Sequence, residues 1–380
     1  MGPASAAGTL ALTPDMLKID IASGQAAVEL KGDVQEIQLS SAVVRQLADH
    51  TLEVKSGKLS LQIPADLIHQ LQNRLPENQR EDSVVSLKMV PLGSKGSAVV
   101  SAAAGTLHAD LALKGEIYAF SLSVTTKSGA TETVSAFNPP VTLSLAAAEG
   151  FDAKRGGIYY IADNGKLEYI KSDYSNGVLT AKVSHFSTYA VLELSRAFTD
   201  VPAAHWASTV IRELAAKLLI QGTSADKFEP GRAVTRAEFT AMLVHSLGLT
   251  AAGEAGFTDV APDAWYADAV SIAHSAGIVS GRDAARFEPV AQITREEMTV
   301  MLLKAYELKS GTAPAGSSPA AFDDLNLVSP WAKSSVSEAA GLGLVQGQRP
   351  GQFAPQGKAT RAEAAQVIYN LLLSTGGDTF

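Results

Sequence analysis

The chain has 380 residues, more than one ordinary hydrophobic core serves, so two or more domains are expected. Its 46% hydrophobic and 18% charged residues are a globular composition, and a formal net charge of −8 argues against a general grip on nucleic acid. With no cysteine, a disulfide framework, a thiolate metal site and a cysteine nucleophile are all excluded.

No apolar run approaches the roughly 20 residues that a membrane span needs. The opening MGPASAAGTLALTPD lacks a basic stretch followed by an apolar one, so it does not read as a signal peptide. The chain is therefore either cytosolic or a piece of a longer secreted protein, and its organisation favours the second. Residues 1–25 read as a leading segment, either a linker or an appended piece.

From 26 to 195 the pattern is mostly two-residue alternation. LEVKSGKLSLQIP (52–64) reads strand, turn, strand, with Ser56-Gly57 at the bend. Tyr118, Phe120, Leu122 and Val124 alternate before a glycine-containing turn, and VTLSL (141–145) follows. Asn164-Gly165 and Asn176-Gly177 each sit between alternating apolar residues, the strongest short-range hairpin signal because both residue types tolerate positive φ. Stretches 40–49 and 65–75 look like short helices between strands. The expectation is a β-sandwich or a pair of small β modules. No G-x-S-x-G, H-E-x-x-H, phosphate loop or calcium loop occurs here, and His185 reads as a packed or hydrogen-bonded residue rather than a base. No metal or cofactor is expected.

After Ser195 the periods become helical, and they repeat. Residues 196–250, 255–309 and 322–374 carry the same landmarks, with a Gly-, Pro- and Ser-rich linker at 310–321. Each opens on Phe-x-Asp (Asp200, Asp259, Asp324), then has a tryptophan (Trp206, Trp265, Trp331), a glycine (Gly222, Gly281, Gly347) and Phe-x-Pro. VTRAEF, ITREEM and ATRAEA then lead into an apolar run.

Threonine followed by glutamate three residues later is a capping-box signature: Thr235 with Glu238, Thr294 with Glu297, Thr360 with Glu363. The helix that follows presents Phe239, Met242, Leu243 and Leu247 on one stripe. Three such helices can bury their stripes against each other. The arginines (Arg236, Arg295, Arg361) are not explained by folding, because the positive end of a helix dipole disfavours a cation. They either pair with a neighbouring acid, such as Asp200, Asp259 or Asp324, or join the helix N–H groups in an anionic-ligand site. The tryptophans read as core packing or as support for a sugar face. The glycines read as positive-φ helix stops and the aspartates as caps on the turn into the tryptophan helix.

Together these residues strongly resemble the S-layer homology repeat, in a set of three covering about 197–374. The resemblance implies that an all-α, pseudo-threefold bundle follows the β-rich, sandwich-like module, which makes the chain a multidomain α and β protein. It also implies noncovalent anchoring of a secreted, nonenzymatic surface or S-layer protein to the Gram-positive cell wall. The partner is then a wall polysaccharide, a secondary polymer with ketal-linked pyruvate, held in grooves between repeats, with other surface-protein subunits as further partners. Carried over by position, Arg236, Arg295 and Arg361 would meet the pyruvate carboxylate. The recurrent tryptophans, glycines and aspartates would surround the ligand. Glu296 in TREE, Leu218 in place of Gly277 and Gly343, and the small Ala359 and Ala364 depart from the pattern, so equal affinity at three grooves is not expected. The strand-rich half resembles, more weakly, spacer modules of such surface proteins, most of all at 183–194. Two further readings are the anchor of an extracellular enzyme with its catalytic domain upstream, and a self-assembly module in the strand-rich half. On this reading Arg361→Ala leaves melting nearly unchanged and weakens binding.

Overall fold

A computed structural model describes residues 8–250, 253, 256–312 and 322–376. The chain divides into two units, Met1–Leu194 and Ser195–Phe380.

The first unit holds two sheets. One runs in the order Thr9–Leu12, Glu36–Ser40, Val84–Pro91, Asp110–Thr125, Thr188–Ser195, Gly156–Ile161, Leu167–Ile170, with Thr131–Thr133 beside Asp110–Thr125. The other runs Ser172–Ser175, Val178–Val183, Val141–Ala146, Leu59–Ile63, Thr51–Ser56, Gln25–Leu30, Lys18–Asp20. The inward residues of both, among them Ile37, Leu87, Leu122, Val54, Leu61 and Leu143, share one buried cluster, so the unit is sandwich-like. Three hairpins fall where the turn chemistry puts them. Asn176 and Gly177 both take positive φ (51° and 78°), Gly165 takes 80° and Gly57 takes 57°.

Helices α1 (Ser41–Leu47) and α2 (Ala65–Asn73) bury Val44, Leu47, Ile68 and Leu71 in the same cluster. Two further helices have no strong sequence signal, α3 (Glu77–Arg80) and the small-residue α4 (Gly93–Leu107). A β-carbon at Gly96 of α4 would collide with the Ile117 side chain, so glycine sets the approach of α4 to its strand. The strand unit also starts earlier than residue 26. Thr9–Leu12 pairs in parallel with Glu36–Ser40, and Lys18–Asp20 pairs with Gln25–Leu30, so these parts of the leading segment belong to the sheets.

In the second unit each repeat is a helix, a loop and a second helix: α5 (Ser208–Ala216) and α6 (Arg236–Leu247), α7 (Ala267–Ser275) and α8 (Arg295–Ser310), α9 (Lys333–Gly341) and α10 (Arg361–Gly376). Most of the 310–321 linker lies outside the described residues. The residues just before the three motif threonines close a backbone ring. Val234 N–H donates to Ala359 O (2.9 Å), Ala359 N–H to Ile293 O (3.0 Å) and Ile293 N–H to Val234 O (3.1 Å). This ring marks the pseudo-threefold centre from which α6, α8 and α10 start.

Those central helices are buried well beyond one stripe. Phe239, Leu243 and Leu247 are buried as the spacing implies, but Ala237, Thr240 and Val244 are buried too, and Met242 is only half-buried. A helix at the centre of a bundle has neighbours on several sides, so a single-stripe reading understates its burial.

Candidate functional site

Thr235 Oγ1 accepts from Glu238 N–H (3.2 Å) while the Glu238 carboxylate accepts from Thr235 N–H (2.8 Å). The pairs Thr294/Glu297 and Thr360/Glu363 repeat this exchange. We expect Thr235→Ala to lower stability by about 1 kcal/mol in thermal or urea unfolding.

The sequence reading left the first N–H groups of these helices free for an anion, and the structure corrects this. Arg236 N–H donates to Ala291 O and Ala237 N–H to Pro289 O. In the same way Arg295 and Glu296 donate to Gly357 and Pro355, and Arg361 and Ala362 to Arg232 and Pro230. Each helix start is closed by the proline loop of another repeat.

The motif arginines do the same with their side chains. Arg236, Arg295 and Arg361 are only 6%, 4% and 6% exposed. Each Nε donates to the carbonyl of a buried phenylalanine in another repeat: Arg236 to Phe287 (3.0 Å), Arg295 to Phe353 (2.8 Å), Arg361 to Phe228 (2.8 Å). Each guanidinium also lies over that phenylalanine ring, 4.6–5.0 Å from its centroid. Nη2 reaches the carbonyl of Ser280, Gln346 or Gln221. Their ionic neighbours are the capping glutamates of the adjoining repeat, not Asp200, Asp259 or Asp324. Arg295 Nη1 lies 2.7 Å from Glu363, whereas Arg236 is 3.9 Å from Glu297 and Arg361 is 4.0 Å from Glu238. Burial draws all three guanidinium pKa values below the ordinary one, and the facing glutamate opposes that shift.

The aspartates hold the loop that receives the arginine. Asp200 accepts from Phe228 and Glu229 N–H (2.9 and 2.7 Å), Asp259 from Phe287 and Glu288, and Asp324 from Phe353 and Ala354. Glu229, Glu288 and Ala354 have φ of 57°, 59° and 57°, a left-handed conformation that costs a residue with a side chain on the order of 1 kcal/mol. Two charge-assisted hydrogen bonds offset that cost. The aspartates thus act on a loop about 30 residues onward rather than on the turn before the first helix.

Gly222, Gly281 and Gly347 are not the helix stops. The left-handed stop falls on Leu218, Gly277 and Gly343, at φ of 57°, 73° and 72°. A β-carbon at Gly222, Gly281 or Gly347 would instead run into backbone oxygens of its own loop, those of Lys227, Asp283 and Arg349. The tryptophans are not core either. Trp206, Trp265 and Trp331 are 61%, 69% and 58% exposed.

Arg236, Gly281 and Trp331 come together, from three different repeats, in a groove of about 430 Å³. Ser280, Arg282, Glu297 and Lys304 also line it, so three cations face one acid. The aspartates are not among its walls. Arg282 and Lys304 escaped the sequence reading because they do not recur: the other repeats have Thr223 and Gln348, and His245 and Asn370, at those positions. Glu296, expected to weaken the middle arginine, is 2% exposed and accepts from Ser329 N–H, Ser329 Oγ and Gln356 Nε2, which ties the second repeat to the third. Among the described residues no cluster of metal-binding side chains occurs, and no helix is long and apolar enough to cross a membrane.

The S-layer homology domain model matches residues 197–240, 256–299 and 321–365. Similar proteins include an amylopullulanase of Thermoanaerobacterium thermosulfurigenes (39% identical over 243 residues, 62% of this chain and 13% of that one). Others are exoglucanase XynX of Acetivibrio thermocellus (38%, 61% of this chain and 22% of that one) and an S-layer protein of Bacillus thuringiensis subsp. finitimus (32%, 50% and 23%). The chain thus spans less than a quarter of the length of each of these relatives. With the matched domains, the three capped central helices and the ring that joins them, the C-terminal part of this chain is a triplet of S-layer homology domains.

Proposed function

We propose that the triplet anchors the protein noncovalently by binding an anionic, pyruvylated secondary cell wall polymer in its inter-repeat grooves. A triplet of this family belongs to the extracellular cell surface, at the wall or S-layer. The observation that carries the finer reading is the state of the Arg236 guanidinium. Its Nε and Nη2 are spent on carbonyls, but Glu297 stands 3.9 Å from Nη1, held instead by Arg282 at 2.8 Å. That leaves an N–H edge in a groove beside the exposed face of Trp331, a fit for a carboxylate on a sugar ring. Arg361 has the same loose edge, since Arg232 holds Glu238 at 2.6 Å, whereas all three donor nitrogens of Arg295 are engaged. The middle arginine is therefore the weakest candidate, through its own ion pair rather than through Glu296.

The test is Arg236→Lys, which keeps the charge and loses the fork. We expect its affinity for a pyruvate-ketal glycoside to fall by roughly 1.5–3 kcal/mol, the worth of hydrogen bonds to a charged group, in titration calorimetry. Unchanged affinity in a folded variant removes this groove from the reading. A second reading is favoured by relatives named as an amylopullulanase and an exoglucanase: the same anchor at the end of an extracellular enzyme, with the chain described above noncatalytic. The parent reading frame distinguishes the two.

A further inference from the structure

Resting on that reading, we infer that the groove of Arg236 is built for a polymer segment with two anionic groups, the second facing Lys304. Lys304 projects from α8 into the groove and is half-buried. Among the described residues it has no hydrogen-bond or ion-pair partner. Its counterparts in the other repeats are spent on backbone. His245 Nε2 shares a 2.7 Å hydrogen bond with Leu218 O, and Asn370 Nδ2 donates to Gly343 O and Leu344 O (3.3 and 3.1 Å). Those side chains fasten the loop after the first helix of their repeat, and the middle repeat has a cation there instead.

The rest of the charge in this groove is already balanced. Arg282 lies 2.8 Å from both Glu288 and Glu297. The charges left without a close carboxylate are the Nη1 edge of Arg236 and the Lys304 ammonium. One is a planar fork suited to a carboxylate and the other a point charge that takes either a carboxylate or a phosphate. Two cations without a close carboxylate in a partly enclosed groove favour two anions over one, because leaving either of them desolvated with no anion at hydrogen-bond distance is unfavourable. At this position the other two repeats have His245 and Asn370, both engaged with backbone carbonyls, so Lys304 is particular to the middle repeat.

Three probes test the inference by titration against the whole chain: a pyruvate-ketal monosaccharide, a disaccharide joining that unit to a uronate, and one joining it to a phosphorylated sugar. We expect at least one two-anion probe to bind the parent about tenfold or more tightly than the monosaccharide. The tighter of the two identifies the second anion as carboxylate or phosphate. The preference should shrink to within about twofold in Lys304→Gln and persist in Lys304→Arg, with melting unchanged in both. A parent without the preference, or a Lys304→Gln protein that keeps it, overturns the two-anion inference while leaving the Arg236 reading in place. Failure of the parent to bind any of the three probes overturns both.

Discussion

Removing the third repeat, by ending the chain after residue 312, should leave the first two repeats without a cooperative fold. The first and third repeats meet directly. Val234 N–H donates to Ala359 O, Arg361 donates to Phe228 O and Gln221 O, and the Tyr369 hydroxyl donates to Glu213 (2.6 Å). Ile368, Leu371 and Leu372 on α10 are 0%, 0% and 5% exposed. Burying such a side chain contributes about 1.5–3 kcal/mol, so losing several removes as much as a whole domain's net stability of about 5–15 kcal/mol. Circular dichroism at 222 nm should show helix lost from the remaining repeats. A helical melt at the parent temperature would contradict the closed-ring account.

The second large effect is expected at Arg295. Arg295→Ala should destabilise by about 3 kcal/mol, as breaking a buried ion pair typically does, because it removes the cation beside Glu363 and the donor to Phe353 O and Gln346 O. Arg236→Ala and Arg361→Ala should cost less, since each breaks two carbonyl bonds and only a loose ionic contact. Urea unfolding of the three variants gives the order. This revises the sequence-based expectation of a nearly unchanged melt for Arg361→Ala: a side chain 6% exposed that holds another repeat is structural as well as available to a ligand.

Much of this was legible in the sequence. Thr and Glu at capping-box spacing, Asn-Gly between alternating residues and the shift from period two to helical period are local signals, and each depends only on neighbouring residues. What was missed depends on partners distant in the chain. No spacing rule reveals that Asp200 serves Phe228 and Glu229, or that Arg361 reaches Phe228, far back in the chain. Helix α4 was missed because a run of Gly, Ser and Ala carries little amphipathic contrast. The glycine roles were exchanged, Gly277 for Gly281, because a glycine needed for positive φ and one needed for close approach look alike in sequence. Comparing repeats also favours what recurs. It found the arginines but passed over Arg282 and Lys304, which give one groove its excess of positive charge.

The most direct measurement is cosedimentation of each unit with purified wall sacculi, before and after mild acid removal of ketal pyruvate. Anchoring through the triplet requires that residues 195–380 sediment with untreated walls, lose that binding after treatment, and that residues 1–194 stay in solution throughout. Sedimentation of the strand unit with none of the helical unit, or helical-unit binding indifferent to the loss of pyruvate, would contradict it.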